Sequence, residues 1–227
     1  MRKVLILPLL LLVTPAFGQQ PPALSAQQIL DKMVSVYASC SSYRDTGEAK
    51  EVVRELDTTI LRPFSTAFVR PSQFRYEFRE DSRLRSIDYV IWQNGASVKS
   101  WWTIRPEVRS YETLDEALAA AAGVSRGSSI DVPSMLFGDF HDKHVIQTLS
   151  QLTLMKEEVV SGRPAYKIKG MDWRNREMTI WIDKENFLLL KRFAIIQPAN
   201  TPAAEETTTY KPEINIAIAA DKLAFKH

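Results

Sequence analysis

The histidines are the side chains of this sequence with the clearest capacity to bind a metal. Asp139, His141 and His144 form an Asp-x-His-x-x-His segment, with Asp142 between the two histidines. Imidazole and carboxylate groups are ligands for divalent transition metals, and a His-x-x-His spacing places both rings on one side of a helix. No third strong ligand follows nearby in the sequence. His141 and His144 are therefore candidates for a metal site, but we predict no resident metal and no other cofactor.

The acidic residues do not form a recognisable catalytic set. Asp45, Glu48, Glu51 and Glu55 lie in one predicted strand region. Two carboxylates act as a glycosidase only at a defined separation, and the sequence does not supply one. We interpret these acidic residues as mostly a solvated strand face. We also expect neither a nucleophile elbow nor a phosphate-binding loop, and we predict that the protein is not an enzyme.

The N-terminal residues predict export through a cleavable signal peptide, residues 1–18. Arg2 and Lys3 form a basic start, Val4–Val13 is an apolar run, and Ala16-Phe17-Gly18 resembles a cleavage site. The apolar run is too short to span a bilayer as a helix. We therefore expect residues 19–227 to form one domain in a bacterial periplasm.

Charge and cysteine content exclude two further classes of protein. The chain has 29 basic and 27 acidic residues, and removal of Arg2 and Lys3 with the signal peptide makes the two numbers equal. A nucleic-acid-binding surface normally needs an excess of positive charge, so no nucleic-acid partner is predicted. Cys40 is the only cysteine, which excludes an internal disulfide and a thiolate metal cluster. We expect Cys40 to be buried at the end of a helix.

The region Val69–Pro106 predicts three successive antiparallel strands. Phe74, Tyr76 and Phe78 alternate with polar residues, which is the period of a half-buried strand. Asn94-Gly95 follows as the expected centre of a type I′ hairpin turn.

Helices are predicted before and after these strands. Ser25 and Gln28 form a capping box that begins an amphipathic helix ending near Ser39. A helical insertion is expected over about residues 113–152. It contains Leu114–Ala122 and a short helix over Val132–Phe137, which has a proline in its first turn.

Strands return after the insertion and end with a predicted long strand, Thr207–Ile218. About 10 or 11 strands are expected in total. The fold class is α+β and mostly β, an incomplete antiparallel β-barrel curled around a helical plug.

Large aromatic side chains fall within the predicted strands, and they suggest the wall of an apolar cavity. An ordinary packed core explains the same residues and remains an open alternative. The predicted wall residues are Phe74, Tyr76, Phe78, Tyr89, Trp92, Trp102 and Trp181.

The order of motifs resembles the LolA-like lipoprotein carrier family. Arg70-Pro71-x-x-Phe74-x-Tyr76 is followed by the polar-Gly hairpin and by an aromatic strand that ends at Pro106. Val132-Pro133-Ser134-Met135-Leu136 resembles the family's Pro-x-Met-Leu helix, and Asp221–Phe225 its closing segment. The long, Ala-rich segment Leu114–Ser129 departs from the family and leaves the cargo undetermined.

The resemblance implies a half-barrel that holds acyl chains under a helical lid. The lid corresponds to Pro133, Met135, Leu136 and Phe137, and Arg70 corresponds to the arginine that bonds the lid and governs its opening. The implied partners are a lipid or lipoprotein, with a possible inner-membrane transporter as donor and an outer-membrane acceptor. We expect a monomer.

The functional prediction is a periplasmic carrier of acyl chains. A lipid-sensing regulator or scaffold of the cell envelope is the first alternative, and a metal-dependent enzyme is the second.

Overall fold

The computed structural model describes residues 23–81, 85–137, 146–197, 199 and 201–226. Its α-helices are α1 (Ala26–Ser39), α2 (Leu114–Ala122) and α3 (Pro133–Leu136). The strands of the first half are β1 (Ser42–Val53), β2 (Thr58–Val69), β3 (Gln73–Asp81), β4 (Ser86–Asn94), β5 (Ser97–Trp102) and β6 (Arg105–Tyr111). The strands of the second half are β7 (Ser150–Leu154), β8 (Glu158–Val160), β9 (Arg163–Met171), β10 (Glu177–Asp183), β11 (Leu189–Ile196), β12 (Ala204–Tyr210) and β13 (Glu213–Ile214).

All the strands belong to one antiparallel sheet of 13 strands, in the order β6-β5-β4-β3-β2-β1-β12-β11-β10-β9-β7. β13 pairs with β1, and β8 pairs with β9. β6 and β7 are at opposite ends of the order and are not paired with each other in the described residues, so the sheet is open. The predicted incomplete barrel is confirmed, with two more strands than the upper expectation because the β7–β8 region and the end of the chain divide into shorter strands.

Side-chain caps begin two of the helices. Ser25 and Gln28 form the predicted capping box of α1, in which the Ser25 Oγ accepts from the Gln28 amide and the Gln28 side chain accepts from the Ser25 amide. Thr113 caps α2 by accepting from the Glu116 amide at 3.3 Å. In the part of the chain that the structure describes, no helix is both long and apolar enough to cross a membrane.

The core lies between the helices and one face of the sheet, which is called the inner face below. Ile29, Leu30, Met33 and Tyr37 form the buried side of α1, and all are at most 1% exposed. They belong to one apolar cluster together with residues of α2, α3 and most strands. Burial of this stripe stabilises the docked helix, because each of these side chains contributes roughly 1.5–3 kcal/mol when removed from water.

The hairpin between β4 and β5 differs from the prediction by one residue. Asn94 pairs with Ser97, so Gly95 and Ala96 form the turn. Positive φ is found at Gly95 (+58°) and not at Ala96. A glycine with positive φ at the first central position is typical of a type II′ turn, and the expected type I′ turn centred on Asn94-Gly95 is wrong.

The predicted last strand is interrupted. β12 ends at Tyr210, and β13 begins at Glu213. Pro212 lies between them and has no N–H group to continue the ladder. The chain beyond β13 then crosses the outer face, where the Arg75 guanidinium donates to Ala224 O at 2.6 Å and the Trp92 Nε1 donates to Leu223 O at 2.7 Å.

Candidate functional site

A continuous row of aromatic side chains covers the inner face of β2 to β5. Neighbouring rings have centroids 5.6 to 6.4 Å apart, and the contacting pairs are Phe64–Tyr76, Tyr76–Phe78, Phe78–Tyr89 and Tyr89–Trp102. Phe74, Tyr76, Phe78 and Tyr89 are at most 5% exposed. The alternation of β3 and its register with β4 place these side chains on one face. These rings form one inner surface, which is called the aromatic row below and consists of Phe64, Phe74, Tyr76, Phe78, Tyr89 and Trp102.

α3 and Phe137 cover one end of this row. The four residues of α3 are buried. The Phe137 ring lies edge-on to Phe68 and Phe74, with centroid distances of 5.0 and 5.6 Å. The predicted lid residues Pro133, Met135, Leu136 and Phe137 therefore occupy space in front of the aromatic row, and side chains fill this part of the interior.

Arg70 connects this segment to α1 through backbone carbonyl groups. Its Nε donates to Cys40 O at 2.9 Å, and its Nη2 donates to Ala38 O at 2.8 Å and to Leu136 O at 3.1 Å. The guanidinium also lies 5.2 Å from the centroid of the Phe68 ring. The peptide bond between Arg70 and Pro71 is cis. One cation therefore satisfies carbonyl groups at the C-terminal ends of two helices, where negative charge accumulates.

Two predicted wall residues lie on the opposite side of the sheet. Trp92 pairs with Arg75, and Trp181 pairs with Lys167, whereas their sequence neighbours Ile91 and Ile180 belong to the core. Because successive side chains of a strand alternate between faces, Trp92 and Trp181 point outward. The placement of these two residues in the cavity wall is corrected accordingly.

Phe64 and Phe68 of β2 were missed by the sequence reasoning. Their spacing of four residues, which puts both side chains on the same face of a strand, is the signal that would have identified them. Phe68 contacts the lid, and Phe64 contacts Tyr76.

The interpretation of the acidic β1 residues as a solvated face is wrong for two of them. Asp45 and Glu51 are 2% and 6% exposed. Glu48 and Glu55 are exposed, as expected. The burial differs because Asp45 and Glu51 lie on the inner side of the strand, together with the core residue Tyr43.

Glu51 anchors the loop between α2 and α3. It accepts two hydrogen bonds from Arg126, both at 2.8 Å, and one from Arg62 at 3.1 Å. A bidentate arginine–carboxylate contact combines charge with fixed geometry. Arg126 lies 75 positions from Glu51 in the chain, which is why local patterns did not predict this contact.

Asp131 makes a second contact from the same loop to the sheet. Arg192 Nε lies 3.1 Å from Asp131 Oδ2, and Tyr210 Oη donates to that oxygen at 2.7 Å. Burial raises the pKa of the Asp131 carboxyl, against the opposing effect of Arg192. Burial likewise raises the pKa of Glu206, which lies 3.5 Å from Arg192. The loop is thus held to β1, β11 and β12 by largely buried ion pairs.

The sequence does contain the Gly-x-Ser-x-Gly spacing of a nucleophile elbow, at Gly123, Ser125 and Gly127. An elbow connects a strand to a following helix. This segment instead follows α2, and Ser125 is fully buried with its Oγ donating to Ser129 Oγ at 2.9 Å. Ser125 therefore stabilises a loop and is not presented to a substrate.

Cys40 is buried at the end of α1, as predicted, and burial raises the pKa of its thiol. Its Sγ lies 3.1 Å from Tyr37 O. His141 and His144 are outside the described residues, so they stay candidates only, and the expectation of no resident metal stays a prediction.

A cavity of about 310 Å³ lies on the inner side of the sheet, among the described residues. It lies between the α2–α3 loop, Ile146, Leu149 and the inner side of β10 to β12. Two larger grooves, of about 940 and 800 Å³, lie beneath the C-terminal segment on the outer face. The inner cavity therefore adjoins the helical plug, a name used below for α2, α3 and the loop between them.

The chain belongs to the family described as "Predicted periplasmic protein (DUF2092)", whose model matches residues 26–225. The periplasmic address of this family agrees with the signal peptide predicted from the sequence. A comparison with curated proteins found no match.

Solved structures with the LolA-like fold are similar to this chain. A structure of MucB is 16% identical with a TM-score of 0.51, over 88% of this chain and 62% of that chain. Mycobacterium tuberculosis lipoprotein LppX is 11% identical with a TM-score of 0.48, over 86% and 97% of the two chains. A putative outer membrane lipoprotein-sorting protein domain from Vibrio parahaemolyticus is 10% identical with a TM-score of 0.40, over 87% and 95%.

The likeness to MucB concerns the fold alone, and this chain spans 60–62% of the MucB chains that it matches. The fold is the LolA-like open half-barrel that the sequence motifs predicted.

Proposed function

We propose that this protein is a periplasmic carrier that holds acyl chains of a lipid or lipoprotein against the aromatic row. The observation that carries the proposal is the plugged inner face. A short helix and one phenylalanine lie over buried aromatic rings, and a single arginine fastens this lid to α1. An acyl chain that displaces the lid would occupy the same apolar space.

The energetics favour exchange between lid and lipid. Each buried methylene group contributes about 0.8 kcal/mol, so one long acyl chain supplies enough free energy to replace the contacts of a four-residue helix. The hydrogen bond from Arg70 to Leu136 O opposes opening by roughly 1.5–3 kcal/mol, as is usual for a bond to a charged donor. Closure of the lid then assists release, because lid and lipid compete for one surface.

Lipid extraction tests the proposal directly. The protein is purified from its native periplasm without detergent, and the extract is compared with that of an unrelated periplasmic protein prepared in parallel. We expect acyl-chain lipids in a fixed molar ratio to the protein. The carrier assignment fails if the extract is empty and the purified protein also takes up no lipid from vesicles.

A regulator that senses lipid is the second candidate, and the fold shared with MucB favours it. One of the MucB structures is a complex with MucA(peri). Here the edge strand β6 is exposed over all but its last residue, so its backbone is open to an extended partner segment. Binding of a partner at this edge that depends on whether lipid is present would favour a regulator. Transfer of lipid between vesicles would favour the carrier.

A further inference from the structure

The inner cavity of about 310 Å³ combines an apolar wall with a rim of arginines. Its apolar wall includes Ile130, Ile146, Leu149 and Met178, all at most 9% exposed and all members of the core cluster. Its volume is at the lower end of the range for small-molecule sites, which are usually apolar with a few placed polar groups. The cavity is therefore suited to one apolar chain with a polar head.

Four arginines lie around this cavity: Arg126, Arg174, Arg176 and Arg192. Three acidic residues line it as well, Asp131, Asp172 and Glu206. With Glu51, the carboxylate that pairs with Arg126, the four arginines are balanced by four acidic residues.

Three of the arginines are engaged in ion pairs. Arg176 contacts Asp172 at 2.7 Å, and Arg126 contacts Glu51 at 2.8 Å through Nε and Nη2. Arg192 is the deepest of the four, with a side chain that is 6% exposed. These pairs fix the positions of the guanidinium groups before any ligand arrives.

Arg174 is the most exposed of the four arginines. It is exposed, stacks at 4.3 Å on the ring of Trp173, and forms no ion pair within the described part of the chain. Trp173 also lines the cavity and is 44% exposed. A cation held beside an aromatic ring at the entrance of an apolar cavity is placed to bind an anionic head group.

We propose that this cavity binds an anionic amphiphile, with its apolar chain between the plug and β10 and its carboxylate or phosphate at Arg174. This inference rests on the proposed carrier function and specifies the class of cargo, but it concerns a second site, because the aromatic row lies on β2 to β5 and this cavity lies beside β10 to β12. The carboxylate of a free fatty acid and the phosphate of a phospholipid share the required chemistry.

Gly123 offers a way to block the cavity without disturbing the fold. It lines the cavity with φ at −67°, and a Cβ atom added there would meet nothing within 4 Å. Because Gly123 is exposed and also lines the cavity, Gly123→Phe should add a ring at the cavity mouth, and Gly123→Ala is the matched control. Thermal unfolding of both variants checks that the fold is retained.

The test measures binding of dansylated undecanoic acid and of its methyl ester to the purified protein. We expect the acid to bind at least about fivefold more tightly than the ester. Gly123→Phe should weaken both probes at least about tenfold relative to Gly123→Ala, because the ring takes the space of the chain.

A charge reversal at the rim provides a second, independent measurement. Arg174→Glu should weaken binding of the acid at least about fivefold and leave the ester unchanged. Arg105→Glu makes the same change at an exposed residue of β6 and should leave both probes unchanged. Competition by a fatty acid and by an anionic phospholipid then distinguishes a carboxylate from a phosphate head group.

The outcomes separate this inference from the carrier function. Equal affinity for acid and ester, or equal effects of Arg174→Glu and Arg105→Glu, would overturn the anionic site while the protein could still carry neutral lipid. Binding that is unaffected by Gly123→Phe would place the probe elsewhere and would also overturn it. Failure of the wild-type protein to bind either probe would contradict the carrier function as well.

Discussion

At the scale of single residues, the burial of Asp45 changes the pKa of its carboxyl group, which can be measured. Its carboxylate is 2% exposed on the inner face of β1 and accepts a hydrogen bond from Tyr43 at 2.7 Å. Burial raises its pKa to about 6 from the usual 3.8, although the hydrogen bonds from Tyr43 and Thr66 act in the opposite direction.

The raised pKa predicts that Asp45 makes the fold less stable as the pH rises. Below about pH 4 the group is protonated in both the folded and the unfolded chain, and it carries no penalty. Between about pH 4 and 6 the unfolded chain ionises first, so the free energy of unfolding falls, and it levels off above the folded pKa. The loss amounts to about 2–3 kcal/mol.

Urea unfolding of Asp45→Asn and of the wild type at pH 4, 5, 6 and 7 measures this effect. The wild-type free energy of unfolding should decrease relative to that of the variant by the amount given above. Glu48→Gln removes a charge from the outer side of the same strand and controls for the change in net charge. Parallel pH profiles of wild type and Asp45→Asn would contradict the assignment.

At the scale of elements, the contact between Arg70 and Leu136 makes α3 dependent on α1. α3 has only four residues and no side-chain cap, so it is too short to be stable alone. Its order comes from burial, from the contact with Arg70, and from hydrogen bonds of Ser134 to Asp131 O and to the Gln147 side chain. An element held in this way is expected to open more readily than the sheet beneath it.

Arg70→Leu should release the lid while leaving the sheet intact. We expect hydrogen exchange at the Ser134 and Met135 amides to accelerate at least about tenfold, because one hydrogen bond to a charged donor contributes roughly 1.5–3 kcal/mol. Uptake of lipid should become faster at the same time.

Arg75→Leu is the matched control for this prediction. Arg75 also donates to backbone carbonyls, those of Ala224 and Lys226, but on the outer face. Its loss should accelerate exchange only in the C-terminal segment. The same exchange rate at Ser134 in wild type and Arg70→Leu would remove the role of Arg70 in holding the lid.

Much of the element structure was predictable because its signals are local. The capping box at Ser25 and Gln28 and the helix Leu114–Ala122 were both predicted and observed. Register is not local, and the β4–β5 turn lies one residue further along the chain than predicted. The error at Trp92 has a local cause, because Tyr89 and Trp92 are three residues apart in β4 and therefore lie on opposite faces. The burial of Glu51 was hidden for a similar reason, since Arg126 reaches it from a distant loop.

At the scale of the whole molecule, the described contacts that attach the plug to the half-barrel differ in strength. Arg70 holds α3 by one hydrogen bond to Leu136 O. The α2–α3 loop is held by the pairs of Arg126 with Glu51 and of Asp131 with Arg192, and by the contact of Ser128 Oγ with Tyr76 Oη at 2.6 Å. We therefore predict that the loop acts as a fixed hinge and that α3 is the end that moves.

This division predicts different effects for the two attachments. Arg126→Met should lower the global free energy of unfolding by about 2 kcal/mol, less than the full cost of breaking a buried pair, because the Arg126 side chain is 34% exposed and Arg62 still contacts Glu51. Hydrogen exchange at the Ser134 amide should accelerate by no more than this loss of global unfolding free energy accounts for. Arg70→Leu should instead accelerate exchange at Ser134 by more than the global loss from its bonds to Ala38 O and Cys40 O explains, since local opening of α3 does not require the loop to detach.

The double variant provides the decisive measurement for the hinge. If the loop is fixed while α3 opens, the effects of Arg70→Leu and Arg126→Met are independent. The free-energy changes obtained from exchange at Ser134 and from urea unfolding of the double variant then equal the sums of the single-variant values within about 0.5 kcal/mol. If the whole plug leaves the sheet as one body, Arg126→Met alone accelerates exchange at Ser134 as strongly as Arg70→Leu does. The second result would replace a hinged lid by a detachable plug, and the cavity beside Arg126 would then open together with the aromatic row.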